Sequence, residues 1–202
     1  MTDQMLNLSY SMKEIFELIP GIASETLKHS SMASDIAAMY KGAEFSFVFE
    51  FDGEKYHLVI KDGTDFKTGL GDLEKPMFRI AMTMSDLEKL LDLKNAQMFL
   101  RGREGMGELP MPGKDKLGSL HSVLSSVSGT MIMELTHEDD TTSSFQVTFN
   151  DSPASSLTVK MTMADARDLA TGESNPVSLF MGGRIQIDGD IGIAMSLQSL
   201  LM

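Results

Sequence analysis

A segment that reads as strand and then helix occurs twice in this chain, and this repetition narrows the available folds more than any other feature. Phe78-Arg79-Ile80-Ala81-Met82-Thr83-Met84-Ser85-Asp86-Leu87 aligns with Leu157-Thr158-Val159-Lys160-Met161-Thr162-Met163-Ala164-Asp165-Ala166. Further on, Met98-Phe99-Leu100-Arg101-Gly102-Arg103 aligns with Leu179-Phe180-Met181-Gly182-Gly183-Arg184. The same apolar positions, aspartate and glycine–arginine turn return in order about 80 residues apart, the pattern of a duplicated strand–helix–helix–turn unit. After the arginine the two diverge: the second continues as a clean strand and helix, the first as a glycine-rich loop. The chain therefore divides into residues 1–113, a divergent unit with extra N-terminal helices, and residues 114–202, a unit with a well-formed closing motif. Each is near the size at which a core of its own becomes hard to build, so the two pack either as small domains or as one unit.

The periodicity fills in these units. Met12, Ile15, Phe16 and Ile19 make one helical stripe, Pro20-Gly21 interrupts it, and Ile22–Leu27 and Met32–Tyr40 read as further helical pieces. Phe45, Phe47, Phe49 and Phe51 alternate with Ser46, Val48 and Glu50, which puts four phenylalanines on one face of a strand. Asp52-Gly53 and Asp62-Gly63 are hairpin turns around Tyr56–Ile60, and strands are predicted at Phe66–Leu70 and Met77–Thr83. Ser85 with Glu88 has the spacing of a capping box, opening a helix whose stripe is Leu87, Leu90 and Leu91. Ala96–Leu100 reads as a short helix and Gly102–Gly113 as a loop. The helix Lys116–Val127 ends the first unit, opens the second, or does both. Thr130–Thr136 and Ser143–Asn150 form a hairpin around His137-Glu138-Asp139-Asp140. Strand Leu157–Met161, helix Ala164–Ala170, helix Pro176–Met181, strand Arg184–Asp188 and the amphipathic helix Ile191–Leu201 complete the chain. Strands meandering through tight turns predict an α+β fold, antiparallel in its sheet or sheets and covered by helices.

Composition excludes several functions. A net charge of −12 argues against nucleic acid as the main partner, because phosphate binding needs clustered Lys and Arg, and against electrostatic docking on anionic lipid. The absence of cysteine removes disulfides, thiolate catalysis and cysteine metal sites. No apolar run reaches the roughly 18 residues of a membrane span, and Met1-Thr2-Asp3-Gln4 lacks the flank of a secretory signal, so a cytoplasmic location with at most transient membrane contact is expected. Methionine occurs 18 times and tryptophan never; so much flexible thioether either fills irregular core space or lines a deformable apolar ligand site.

No catalytic constellation emerges. His29, His57, His121 and His137 are scattered, and no Gly-x-Ser-x-Gly elbow or Walker loop is present. The pairs Met82/Met84, Met131/Met133 and Met161/Met163 could ligate Cu(I), but period-two spacing on a strand simply points both side chains into one core. Asp86 and Asp165 stand at helix starts, where capping accounts for them. The expectation is no enzyme activity, no metal and no cofactor.

The carboxyl end is the most specific stretch. Thr171-Gly172-Glu173-Ser174-Asn175-Pro176 leads through Leu179-Phe180-Met181-Gly182-Gly183-Arg184-Ile185-Gln186-Ile187-Asp188-Gly189-Asp190 into Ile191-Gly192-Ile193-Ala194-Met195-Ser196-Leu197-Gln198. This resembles the closing motif of the sterol carrier protein type 2 family: a TGxxNP turn, an FMxGK segment and a helix reading GxAMxLQ, with Arg184 in place of lysine. The first unit resembles the family more loosely, since Asn95-Ala96 stands where Asn-Pro is expected. Gly182 and Gly183 permit a turn that a Cβ would strain, and Asp190 can cap the last helix, whose apolar band is Ile191, Ala194, Met195, Leu197 and Met202. The resemblance implies an apolar tunnel between the sheet and the last helix, holding a sterol, fatty acyl or isoprenoid molecule. By the same resemblance, Phe180, Met181, Ile185, Ile187, Ile193, Met195 and Leu197 are the candidate ligand contacts, each also able to be plain core. Burial of an acyl chain is worth about 0.8 kcal/mol per CH₂, so such a site needs no polar anchor and tolerates varied cargo. The alternatives are an accessory protein presenting a prenyl-quinone intermediate to partner enzymes, as family members do in bacterial quinone biosynthesis, and a ligand-free module, for instance a homodimer.

Overall fold

The computed structural model describes residues 33–90 and 114–201, together with Gly21 and Glu25. Helix α1 (Ala33–Met39) precedes strands β1 (Glu44–Phe51), β2 (Glu54–Lys61), β3 (Asp65–Leu70) and β4 (Phe78–Met82), then helix α2 (Met84–Leu90). After α3 (Lys114–Ser126) come β5 (Gly129–Thr136), β6 (Thr142–Phe149), β7 (Ser156–Thr162), α4 (Met163–Thr171), α5 (Pro176–Met181), β8 (Gln186–Gly189) and α6 (Ile191–Leu201). The expected Ser11–Ile19 and Ala96–Leu100 helices, Leu91 and the Gly102–Gly113 loop lie outside the described residues, as does most of Ile22–Leu27.

Among the described residues, eight strands join one sheet of an α+β fold in the order β3-β2-β1-β4-β6-β5-β7-β8. Five of its pairings are antiparallel, as the turns predict. Two are parallel, β1 with β4 and β5 with β7. Each parallel partner arrives by a connection longer than a hairpin, which frees it to enter in the same direction. The pairing of β1, β2 and β4 is therefore the pairing of β5, β6 and β7.

Register sorts the side chains into two faces. On one, Phe45, Phe47, Phe49 and Phe51 stand beside Phe78, Ile80 and Met82 of β4, which oppose Phe149, Val147 and Phe145 of β6. Those continue into Met131 and Met133 of β5 and Leu157 and Val159 of β7. The other face carries Arg79, Gln146, Thr148, Glu134 and Lys160 at alternating positions. Helices cover the apolar side. Tyr40, just after α1, meets Phe45 edge-on at 5.4 Å between ring centroids, and Phe45 in turn meets His121 of α3 at 5.1 Å. Asn150, in the left-handed region at φ 50°, donates its amide hydrogens to Leu124 O (2.9 Å) in the last turn of α3 and to Val127 O (2.7 Å) just beyond it.

The helix caps correct one expectation. Helix α2 starts at Met84, not after Ser85: Asp86 N–H donates to Thr83 Oγ1 (3.0 Å), and Thr83 Oγ1 donates to Asp86 Oδ2 (2.8 Å). The aligned Thr162 and Asp165 build a full capping box on α4. Consequently Met84 and Met163 open helices, and of the Met-x-Met pairs Met131/Met133 alone lies within one strand. Gly183 takes the left-handed turn (φ 69°), whereas Gly182 keeps a helical backbone.

Candidate functional site: an apolar face and its closing helices

Among the described residues, two apolar clusters sit on the covered face. One contains Val127, Leu135, Phe149, Leu157, Val159, Met161, Met163, Leu179, Ile185 and Ile193; the other contains Tyr40, Phe45, Met77 and Leu124. Phe78 and Leu197 pack against both, so β4 and α6 bridge the halves. Between the clusters the floor is half-buried, formed by Phe47, Phe78, Met131, Met133, Phe145 and Val147. Phe47 and Phe78 stack with ring centroids 4.8 Å apart.

The candidate contacts divide by helix geometry. Ile185 and Ile193 are buried in the larger cluster, with Ile187 and Leu197 half-buried against it. Phe180, Met181 and Met195 face outward, 52%, 80% and 66% exposed. On α5, Leu179 is buried, and steps of about 100° per residue carry Phe180 and Met181 round to the outer side. On α6 the inward pair is Ile193 and Leu197, so Ile191 and Met195 point away rather than joining one inward band. The half-buried floor was not singled out from sequence, although the period-two phenylalanines and the Met131/Met133 pair were its visible signal.

Turns set the position of these helices. Gly189 has φ 107°, and a Cβ there would meet Ser156 O of β7, so glycine alone lets β8 lie this close before the chain turns into α6. Asp190 Oδ1 accepts Gly192 N–H (2.8 Å), the expected cap. Asn175 caps α5, its Oδ1 accepting Ser178 N–H (2.9 Å), with Pro176 in the first turn. Arg184 pairs with Asp168 (3.2 Å) and Asp165 of α4. Asp165 is 3% exposed, and among the described residues no donor is aligned for a hydrogen bond on its Oδ1, so the adjacent guanidinium answers its charge.

The opposite face is polar. Lys55 (2.7 Å) and Arg79 (2.8 Å) bind Asp72, and Arg79 also reaches Asp151 (3.2 Å). The hydrogen bond from Lys55, followed by that from Arg79, holds the Asp72 carboxyl at about 2 against an opposing effect of burial. An open groove of about 390 Å³ on this side is lined by Glu50, Ala81, Ile132, Ser144 and Gln146 among others, chemistry unlike that of the apolar side. Among the described residues, no cluster of three or more His, Asp or Glu could hold a metal ion, and no helix is long and apolar enough to cross a membrane.

Comparison with known proteins bears on the same stretch. The model of the SCP-2 sterol transfer family matches residues 117–202. Among solved structures, the chain is similar to sterol carrier protein 2 from Yarrowia lipolytica in its apo form, at 18% identity over 49% of this chain and 89% of that one, with a TM-score of 0.32. It is also similar to sterol carrier protein 2 like 2 from Aedes aegypti, at 13% identity over 56% of this chain and 94% of that one, TM-score 0.32. A third is described as a UbiJ-SCP2 ubiquinone synthesis protein, at 10% identity over 94% of each chain, TM-score 0.30. No curated protein matches the chain.

Proposed function

We propose that this protein, whose residues 117–202 match the model of the SCP-2 sterol transfer family, binds and carries a hydrophobic, lipid-like molecule without transforming it. The observation that carries the reading is the continuous apolar face, half-buried between its two clusters at Phe47, Phe78, Met131, Met133, Phe145 and Val147. Helices over such a floor can trade contact with its side chains for contact with an acyl, isoprenoid or sterol skeleton, and methionine adapts to either. Ile185, Ile187, Ile193 and Leu197 are proposed to meet the cargo from the closing side, and Phe180, Met181 and Met195 as cargo passes the outer faces of α5 and α6. Catalysis has no part in this reading. Native mass spectrometry of freshly purified protein is expected to show a co-purified lipid or uptake of an added fatty acyl probe. Failure to bind any member of a broad lipid panel rejects the proposal.

The outward Val177, Phe180, Met181, Ile191 and Met195 favour a second reading, in which the protein presents its cargo to a partner enzyme. Recovery of quinone-pathway enzymes by the wild-type chain, but not by Met181→Asp, supports presentation over free transport.

A further inference from the structure

We infer that residues 174–184 form a clasped strap over the apolar core of the second half, and that releasing the clasp opens the route by which cargo enters and leaves. This inference rests on the cargo reading above. The strap is the segment around α5; left-handed Gly172 (φ 74°) precedes it, and left-handed Gly183 (φ 69°) makes the turn within it that follows α5. From Gly172 to Arg184, Leu179 is the one buried residue. It belongs to the larger buried cluster, which also holds Leu157, Ile185 and Ile193, so lifting it opens that cluster.

Both ends of the strap return to one residue of α4. Asp168 accepts Ser174 N–H on its backbone oxygen (3.0 Å) and Arg184 Nη2 on its carboxylate (3.2 Å). Arg184 also neutralises the buried Asp165. Compact surface loops whose ends are tied together are frequently functional. Two holds of different chemistry act here: an apolar plug at Leu179 and an ionic clasp at Arg184. Meanwhile the Asn175 cap and the bonds Gly182 N–H to Ser178 O (2.9 Å) and Arg184 N–H to Leu179 O (2.9 Å) keep α5 a unit. The strap therefore lifts as one rigid piece after the left-handed turn at Gly172, drawing Leu179 out of the core. Segments with so few buried side chains open at far lower cost than the sheet beneath them.

Hydrogen exchange and probe release on the full chain test this together. Arg184→Gln is expected to speed amide exchange over residues 176–183 about tenfold while β5, β6 and β7 keep wild-type protection. Release of bound NBD-labelled stearate should accelerate by a similar factor. Arg184→Lys, which keeps the charge, should restore both. The clasp is overturned by unchanged exchange in the strap, or by strap and strands losing protection together. A wild-type chain that takes up no NBD-stearate overturns the cargo reading and the doorway with it. Uptake followed by equal release rates from wild type and Arg184→Gln overturns the doorway alone.

Discussion

Asp72 connects three parts of the polar face: its own loop between β3 and β4, Lys55 on β2, and Arg79 on β4. Arg79 then extends to Asp151, just beyond β6, so the network reaches across the junction of β4 and β6. Both cations favour the ionised carboxylate, which is why its folded value, about 2, lies below the ordinary 3.8. Such a group contributes its stability in full above the ordinary value and loses it as pH falls through the folded one. Asp72 is 41% exposed, and with solvent screening its share is roughly 0.5–1 kcal/mol. Asp72→Asn is thus expected to lower stability by that amount at pH 7 and by progressively less between about pH 4 and pH 2. Urea denaturation at a series of pH values checks this; a constant difference down to pH 2 removes the ionic explanation.

At the scale of elements, α6 shows which side of a helix carries weight. Ile193 is buried against Gly129, where a Cβ would come within 2.6 Å of its Cδ1, while Met195, two residues on, is mostly exposed. Ile193→Ala should cost about 2–4 kcal/mol and Met195→Ala no more than about 0.5 kcal/mol, as measured by chemical denaturation. Equal costs would mean that α6 packs by another face. The existence of α6, α5 and β8 was legible because Asn175, Pro176 and Asp190 favour helix starts and Gly183 and Gly189 permit the turns between them. The inward side of α6 was not, since Ile191, Ile193, Ala194, Met195 and Leu197 are all apolar and only the neighbouring strands choose among them. The start of α2 was ambiguous for a related reason. Thr83 with Asp86 and Ser85 with Glu88 offer the same cap spacing two residues apart, and the end of β4 at Met82 selects the first.

For the whole molecule, the sheet order carries information that no local pattern holds. Reading the halves as copies, as we propose, β1, β2 and β4 correspond to β5, β6 and β7. The outer edge of β2 is covered by β3, whereas the outer edge of β6 is covered by β4 of the other half. Likewise β7 is flanked by β8, and its counterpart β4 by β6. Among the described residues, each half thus leaves one strand edge open, and the other half fills it. The face alternation of β4 and β6 could be read from sequence, but their pairing could not, because it joins residues some 70 apart and depends on which edges remain open. Separating the halves would expose the hydrogen-bonding edges of β4 and β6 and part Phe78 from Phe149 and Ile80 from Val147, leaving two unpaired edges in place of a continuous sheet. The proposed boundary near residues 113 and 114 should therefore mark a unit of ancestry rather than of folding. Fluorescent probes placed in β2 and in β7 are expected to report the same urea midpoint and the same slope, as a two-state unit requires. Distinct midpoints would show two domains docked at β4 and β6, and would confine the shared apolar floor to whichever half stays folded.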